Sequence, residues 1–257
     1  MTRWVRSTTA AAATVALAFV AFEARADGPT PSRVGDSGEL IVSADRLMPF
    51  VSWSSVQLND YNAAISTTNT QTSVSLFYGA TPPLESRFFT VPRAGLDYVL
   101  LPNFTVGGNI VLYFTPESSQ SVSTTAAGVT RTASADQPGV VLFGVAPRAG
   151  YVLHLNNLFG LWLRGGVSLY TETTNTPLVG DPTHTHESIL QPAIDLEPQI
   201  FFQPVAHLAF TATIDADIPV FGQHSLTTYF ANGTQNSMSA WASTAYVGLT
   251  LGMLGYF

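Results

Sequence analysis

The sharpest pattern in the chain lies in residues 245–257, where apolar side chains alternate with small or polar ones. Val247, Leu249, Leu251, Met253 and Phe257 share one parity, and Tyr246, Gly248, Thr250 and Gly252 share the other. A period of two with one apolar face describes a half-buried β-strand. The same alternation upstream predicts seven more strands, at about 38–56, 88–101, 104–116, 139–155, 159–173, 188–203 and 207–221. Pro102-Asn103, Asn156-Asn157 and Pro204-Val205-Ala206 read as tight turns between neighbours. The remaining connections, 57–87, 117–138, 174–187 and 222–238, are long and rich in Ser, Thr, Asn and Gln. They read as polar loops, the first with strand extensions near 73–78.

A repeat supports the hairpin reading. Val91-Pro92-Arg93-Ala94-Gly95 and Ala146-Pro147-Arg148-Ala149-Gly150 stand at equivalent places, each followed by an Asn-containing turn and a strand with a Gly pair (Gly107-Gly108, Gly165-Gly166). Gln191-Pro192-Ala193 is a degenerate third copy. Proline removes a ladder donor, so bulges are expected at these sites.

Parity also sorts the charges. Arg93 and Asp97 oppose Leu96, Tyr98 and Leu100, and Arg148 opposes Val141, Phe143, Tyr151 and Leu153. Arg164 and Glu172 oppose Leu161, Leu163, Val167 and Leu169, while Asp195 and Glu197 oppose Ile194, Leu196, Ile200 and Phe202. Asp215 and Asp217 oppose Phe210, Ile214 and Ile218. All nine of these charges fall on the polar face of their strands. The adjacent Asp45 and Arg46 are the exception, and must point oppositely or flank a bulge. A soluble barrel would invert the arrangement, with apolar residues lining its cavity. The wider, greasier face here is expected to meet lipid, with Phe104, Phe159, Phe201, Trp241 and Phe257 as interfacial aromatics.

Composition agrees with that reading. Hydrophobic residues make up 46% of the chain and charged residues 11%, against about a quarter in soluble domains. No stretch reaches the 18 apolar residues of a spanning helix. Arg3 and Arg6, the apolar run 10–22 and Ala24-Arg25-Ala26 form a secretory signal peptide. The domains expected are therefore a signal peptide (1–26), a polar leader (27–37) and a barrel (38–257). Cleavage removes three Arg and one Glu, leaving 7 basic and 16 acidic residues, net −9. Such a balance excludes a nucleic-acid footprint. The absence of cysteine excludes a lipid-anchored cysteine and a disulfide scaffold.

The signal peptide, the eight amphipathic strands and the terminal Phe257 together resemble the small outer-membrane β-barrel superfamily of OmpA-, OmpX- and OmpW-like proteins. The resemblance covers nearly the whole mature chain and rests on architecture, not on a signature motif. Gly255 departs from it, since an apolar or tyrosine residue is commoner there. The resemblance implies an all-β, eight-stranded antiparallel transmembrane barrel with short periplasmic turns and long external loops. It implies a Gram-negative outer membrane, with lipid and lipopolysaccharide around the barrel and with the barrel-assembly machinery and periplasmic chaperones as partners. A monomer is expected, and Val247, Leu249, Leu251, Met253 and Phe257 would carry the assembly signal.

Candidate chemistry is sparse. Arg93, Asp97, Arg148, Arg164, Asp195, Glu197, Asp215 and Asp217 form an inward set, read as a salt-bridged plug of a largely closed lumen or as the lining of a narrow channel. Small-solute passage of the OmpW-like kind would need an apolar pocket, for which Trp162, Val99, Val111 and Leu142 have lumen parity. His184-Thr185-His186-Glu187 offers two imidazoles and a carboxylate to a transition metal, although a solvated loop is the plainer reading. Lipid A-modifying enzymes share the architecture, yet only His224-Ser225 and His154 resemble catalytic pairs or bases. No P-loop, dinucleotide fingerprint, H-E-x-x-H or nucleophile elbow occurs. A non-enzymatic protein without metal or cofactor is expected.

Overall fold

The computed structural model describes residues 33–60, 65–74, 91–126, 129–177 and 184–257. The expected signal peptide and the start of the second expected strand lie outside the described residues. Within the described residues the chain forms twelve strands and no helix: β1 (Leu40–Asp60), β2 (Ile65–Val74), β3 (Arg93–Leu101), β4 (Phe104–Thr115), β5 (Ser118–Ala126), β6 (Val129–Gln137), β7 (Gly139–His154), β8 (Phe159–Pro177), β9 (His184–Val205), β10 (Leu208–Pro219), β11 (Gln223–Tyr229) and β12 (Gln235–Tyr256).

Eight of them close an antiparallel ring in the order β1, β3, β4, β7, β8, β9, β10, β12, with β12 paired back onto β1. Leu40 and Phe257 exchange backbone hydrogen bonds of 2.9 and 3.0 Å at the seam. Closure gives every ring strand a paired neighbour on both sides. Fold class and strand order are those the alternation predicts.

Among the described residues, each of the four long connections contributes strand. β2 pairs with the far half of β1, in file with β3. β11 likewise continues β10 between β9 and β12. β5 and β6 form a two-stranded sheet of their own, and β8 and β9 run on together to the Pro177–His184 pair. Hairpin extensions thus rise from one end of the barrel, and three short turns close the other. Asn103 (φ 67°) and His207 (φ 66°) take left-handed conformations in two turns. In the third, Asn156 Oδ1 accepts hydrogen bonds from the backbone N–H groups of Leu158 and Phe159, both at 2.8 Å.

The bulges fall elsewhere than the prolines suggest. Pro147 pairs in register with Gly108 of β4, and Pro192 with Leu169 of β8. The largest irregularity is in β1, which spends two more residues than β12 between the Ala44–Met253 and Met48–Leu251 pairs. Arg46 sits inside it at φ 57°, a conformation that costs an ordinary residue about 1–2 kcal/mol. The bulge turns both Asp45 and Arg46 inward.

Burial alternates along the wall with the parity read from sequence. Leu96, Ile110, Phe143, Val167, Ile200 and Ile214 are among the exposed outer residues. Among the described residues, the outward positions of the ring strands between the two ends of the barrel carry no charged side chain. Phe159, Trp241 and Phe257 are outside, but Phe201 is inside the barrel. Its odd position on β9 matches Glu197 and Gln199, so parity overrides its place near the strand end.

Candidate functional site

The lumen is layered. At the turn end, Val34, Ile41, Val99, Val152, Trp162, Phe201, Ala209, Leu254 and Tyr256 form one buried apolar cluster. Its outermost member is held by the segment before β1. Gly35 accepts from Asn103 N–H at 2.8 Å, Gly38 N–H donates to Val99 at 2.9 Å, and Arg33 donates to Asn157 at 2.6 Å. Val34 is thereby pressed to 0% exposure across the opening. At the hairpin end, Val91, Val111, Leu142, Tyr170 and Tyr246 form a second cluster, with Ile189 packed against it.

The charges lie between these plugs. Glu197 of β9 is the hub, with all four lumen guanidiniums within 4 Å. Arg148 lies at 2.8 Å, Arg164 at 3.0 Å, Arg93 at 3.2 Å and Arg46 at 3.9 Å. Arg148 also grips Asp97 with two of its nitrogens and reaches Asp45 at 3.0 Å, which Arg164 approaches at 3.2 Å. On the opposite side Arg46 meets Asp217 at 2.9 Å and Asp215 at 3.3 Å, and Arg93 meets Asp195 at 3.0 Å. Hydroxyls fill further lone pairs. Thr250 donates to Asp215 at 2.6 Å, Tyr170 to Asp217 at 3.1 Å, and Ser43 to Asp45 at 3.0 Å.

Aromatic rings join the plugs to the charges. Arg93 lies over the Tyr170 ring at 5.3 Å, Arg164 over Trp162 at 4.7 Å, and Arg46 over Tyr246 at 5.6 Å. Within about 6 Å of a ring face a guanidinium is attracted to the ring quadrupole. Planar, weakly hydrated arginine suits this double task of forked pairing and stacking better than lysine would. Glycine makes the room. A Cβ on Gly95 would collide with Ser43 Oγ and lie 2.8 Å from an Arg148 nitrogen, and one on Gly160 would collide with the Phe201 ring.

All eight charged residues singled out from sequence come together here. Asp45, Arg46, Tyr170 and Tyr246 were not among them. Two adjacent opposite charges within an otherwise apolar strand were the available signal for Asp45 and Arg46. Neither suits the apolar outer face, so a bulge that turns both inward was the remaining solution. Val247, Leu249, Leu251 and Met253 have the outward parity of β12, and Phe257 follows its last residue, exposed.

Three of the five histidines, His184, His186 and His224, lie on the extensions. His184 stacks on Tyr229 with centroids 4.6 Å apart and planes at 16°. His186 Nδ1 lies 2.7 Å from Asn175 Oδ1. Both are on the outer face of β9, whereas Glu187 is on the inner face, 2.7 Å from His224 Nε2. The His184-His186-Glu187 set therefore does not converge. Among the described residues no group of three or more His, Asp or Glu could hold a metal ion. Ser225 pairs with Ser188 while His224 pairs with Ile189, so adjacent His224 and Ser225 point to opposite faces of β11. His154 stands at the turn end, edge-on to Phe201 at 6.3 Å. No helix among the described residues is long and apolar enough to cross a membrane, which says nothing of strands.

No protein-family model matches the chain, and no curated protein does. Solved structures do. The attachment invasion locus protein Ail of Yersinia pestis aligns over 86% of this chain and 99% of its own, with 10% identity and a TM-score of 0.37. A major outer membrane protein from Thermus thermophilus aligns over 85% and 99%, with 8% identity and a TM-score of 0.48. The outer membrane protease OmpT of Escherichia coli aligns over 89% and 99%, with 9% identity and a TM-score of 0.40.

Proposed function

We propose that the protein is an integral outer-membrane β-barrel with a closed lumen, a non-enzymatic membrane or surface component that conducts no solute. The observation that carries this is the inside-out wall. Large apolar side chains on the ring strands stand exposed, and among the described residues every charge of the spanning region is inside. A monomer exposing such a continuous belt to water would far exceed the few hundred Å² of apolar patch that soluble proteins tolerate. In hydrocarbon the same belt is at home, and a closed sheet is one of the two backbones that can cross it. The ring strands are 9 to 22 residues long, enough for the roughly 9–11 tilted residues of a crossing.

Closure of the lumen is supported by its filling. An eight-stranded interior has room for side chains and little else, and here two apolar clusters bracket a guanidinium–carboxylate network. The lumen-facing apolar residues Trp162, Val99, Val111 and Leu142 pack into those clusters, so they fill space that a small-solute pocket would need. The separation of His224 from Ser225 supports the non-enzymatic part of the reading. The short turns would face the periplasm and the hairpin extensions the exterior. Planar-bilayer recording on the purified full chain tests the closed lumen. Silent insertion is expected, and stable large single-channel steps would contradict it.

A further inference from the structure

We propose that the outer face of the β8–β9–β11–β12 extension is a docking surface for the uncharged sugar headgroups of neighbouring glycolipids. The inference rests on the membrane placement proposed above and goes further, naming a class of lipid and the residues that meet it. Along these strands the outward positions run without a break from the apolar belt into the extension. Trp241, packed edge-on against Phe221 at 6.3 Å, marks the border. Above that border the same face looks sideways over the lipid headgroups rather than up into solution.

Its chemistry is selective. Among the described residues this part of the face bears no Asp, Glu, Lys or Arg, while the carboxylates of the region, Glu172 and Glu187, are on the inner face. A surface built for lipid phosphate would present arginine or lysine, and this one presents none. It offers hydroxyls, an amide and an imidazole already ordered in a row across four strands. Asn175 meets His186 at 2.7 Å, and Thr227 meets Ser237 at 3.1 Å, with His186 and Thr227 paired in register. Beside that row the stacked His184–Tyr229 pair supplies a flat aromatic platform with polar tips. Hydroxyl-matching groups next to an aromatic plane suit a sugar ring, which has one C–H face and a rim of hydroxyls. At strand spacing the face is about 15 Å wide, room for more than one ring.

The test uses the full chain in nanodiscs of phosphatidylcholine with a minority of digalactosyl diacylglycerol, counting by native mass spectrometry the lipids retained on release into detergent. Retention of the sugar lipid over phosphatidylcholine is expected. The preference should fall about tenfold, the loss of a contact of roughly 1.4 kcal/mol, in His184→Ala/Tyr229→Ala, and persist in Tyr229→Phe. Heat-modifiable mobility of each variant confirms an intact barrel. A preference for phosphatidylglycerol put in its place would overturn the proposal in favour of phosphate binding. Capture of free digalactose by detergent-solubilised protein as strongly as of the lipid would overturn it in favour of soluble glycans. Insertion without any sugar-lipid preference would overturn the docking surface alone, whereas failure to enter the nanodisc would overturn the membrane reading beneath it.

Discussion

The barrel wall and the hairpins above it are built from the same strands, yet the two regions obey different rules. In the wall, one face of β9 bears Asp195, Glu197 and Gln199 and the other Ile194, Leu196 and Ile200. A few residues earlier on the same strand, His184, Thr185, His186, Glu187 and Ser188 are polar on both faces. The backbone does not change; what lies on each side does. Where one side is packed lumen and the other apolar belt, every residue is committed to a medium, and a wrong side chain has nowhere to go. Where both sides are polar, register and composition are loosely constrained, and stability must come from the ladder and cross-strand pairs.

That contrast can be broken most severely at the hub. Glu197→Gln removes the carboxylate that all four lumen guanidiniums approach. Breaking a buried charge network by one partner costs about 3–5 kcal/mol, so the denaturant midpoint in micelles should fall steeply. The matching change outside, Glu187→Gln in the part-exposed pair with His224, should shift it by under about 1 kcal/mol. An unchanged midpoint for Glu197→Gln would show that the lumen charges do not hold the barrel together.

A charge placed on the outer face sharpens the same contrast. Leu196→Arg, in the middle of the belt, should cost about 2–4 kcal/mol in folding into liposomes. Thr173→Arg, on the same face within the extension, should stay within about 0.5 kcal/mol. Smaller again is the effect of filling the lumen. A methyl group added at Gly95 would collide with Ser43, Asn109 and Arg148, and overpacking of this kind costs about 1–3 kcal/mol. Gly95→Ala should therefore lower the midpoint of heat-modifiable mobility, whereas Ser239→Ala in the exposed part of β12 should leave it within about 0.5 kcal/mol of the starting value.

The same difference explains how far the molecule could be read from its residues. The eight ring strands and the inward charges were legible because the outer side chains of the wall are apolar and its charged side chains all share the other parity. Asp217 and Ile218, for example, are assigned by parity alone. β5, β6 and β11 were missed as strands, and the extension expected near 73–78 meets β2 only at Ser73 and Val74, the rest lying outside the described residues. Ser and Thr stand at both parities of these segments, and a period of two cannot appear without a difference to alternate. Arg46 was hidden by its bulge, since parity counting assumes two residues per repeat and β1 breaks that count. Phe201 was misplaced because nearness to a strand end was weighed above its parity with Glu197. Neither the layering of the lumen nor the cap made by Val34 had any local signal. Both arise only when distant strands are brought into one ring.

The account turns on what surrounds the outer face, and collision measurements read that directly. The chain has no cysteine, so single cysteines carrying a nitroxide label can be placed at Leu196, Ile214 and Val247 in the belt and at Thr173 and Ser239 in the extension. In reconstituted liposomes, labels in the belt should collide readily with oxygen and rarely with a water-soluble nickel chelate, and the order should reverse in the extension. Equal access of the nickel chelate to both sets would mean that the belt lies in water, and would contradict the account.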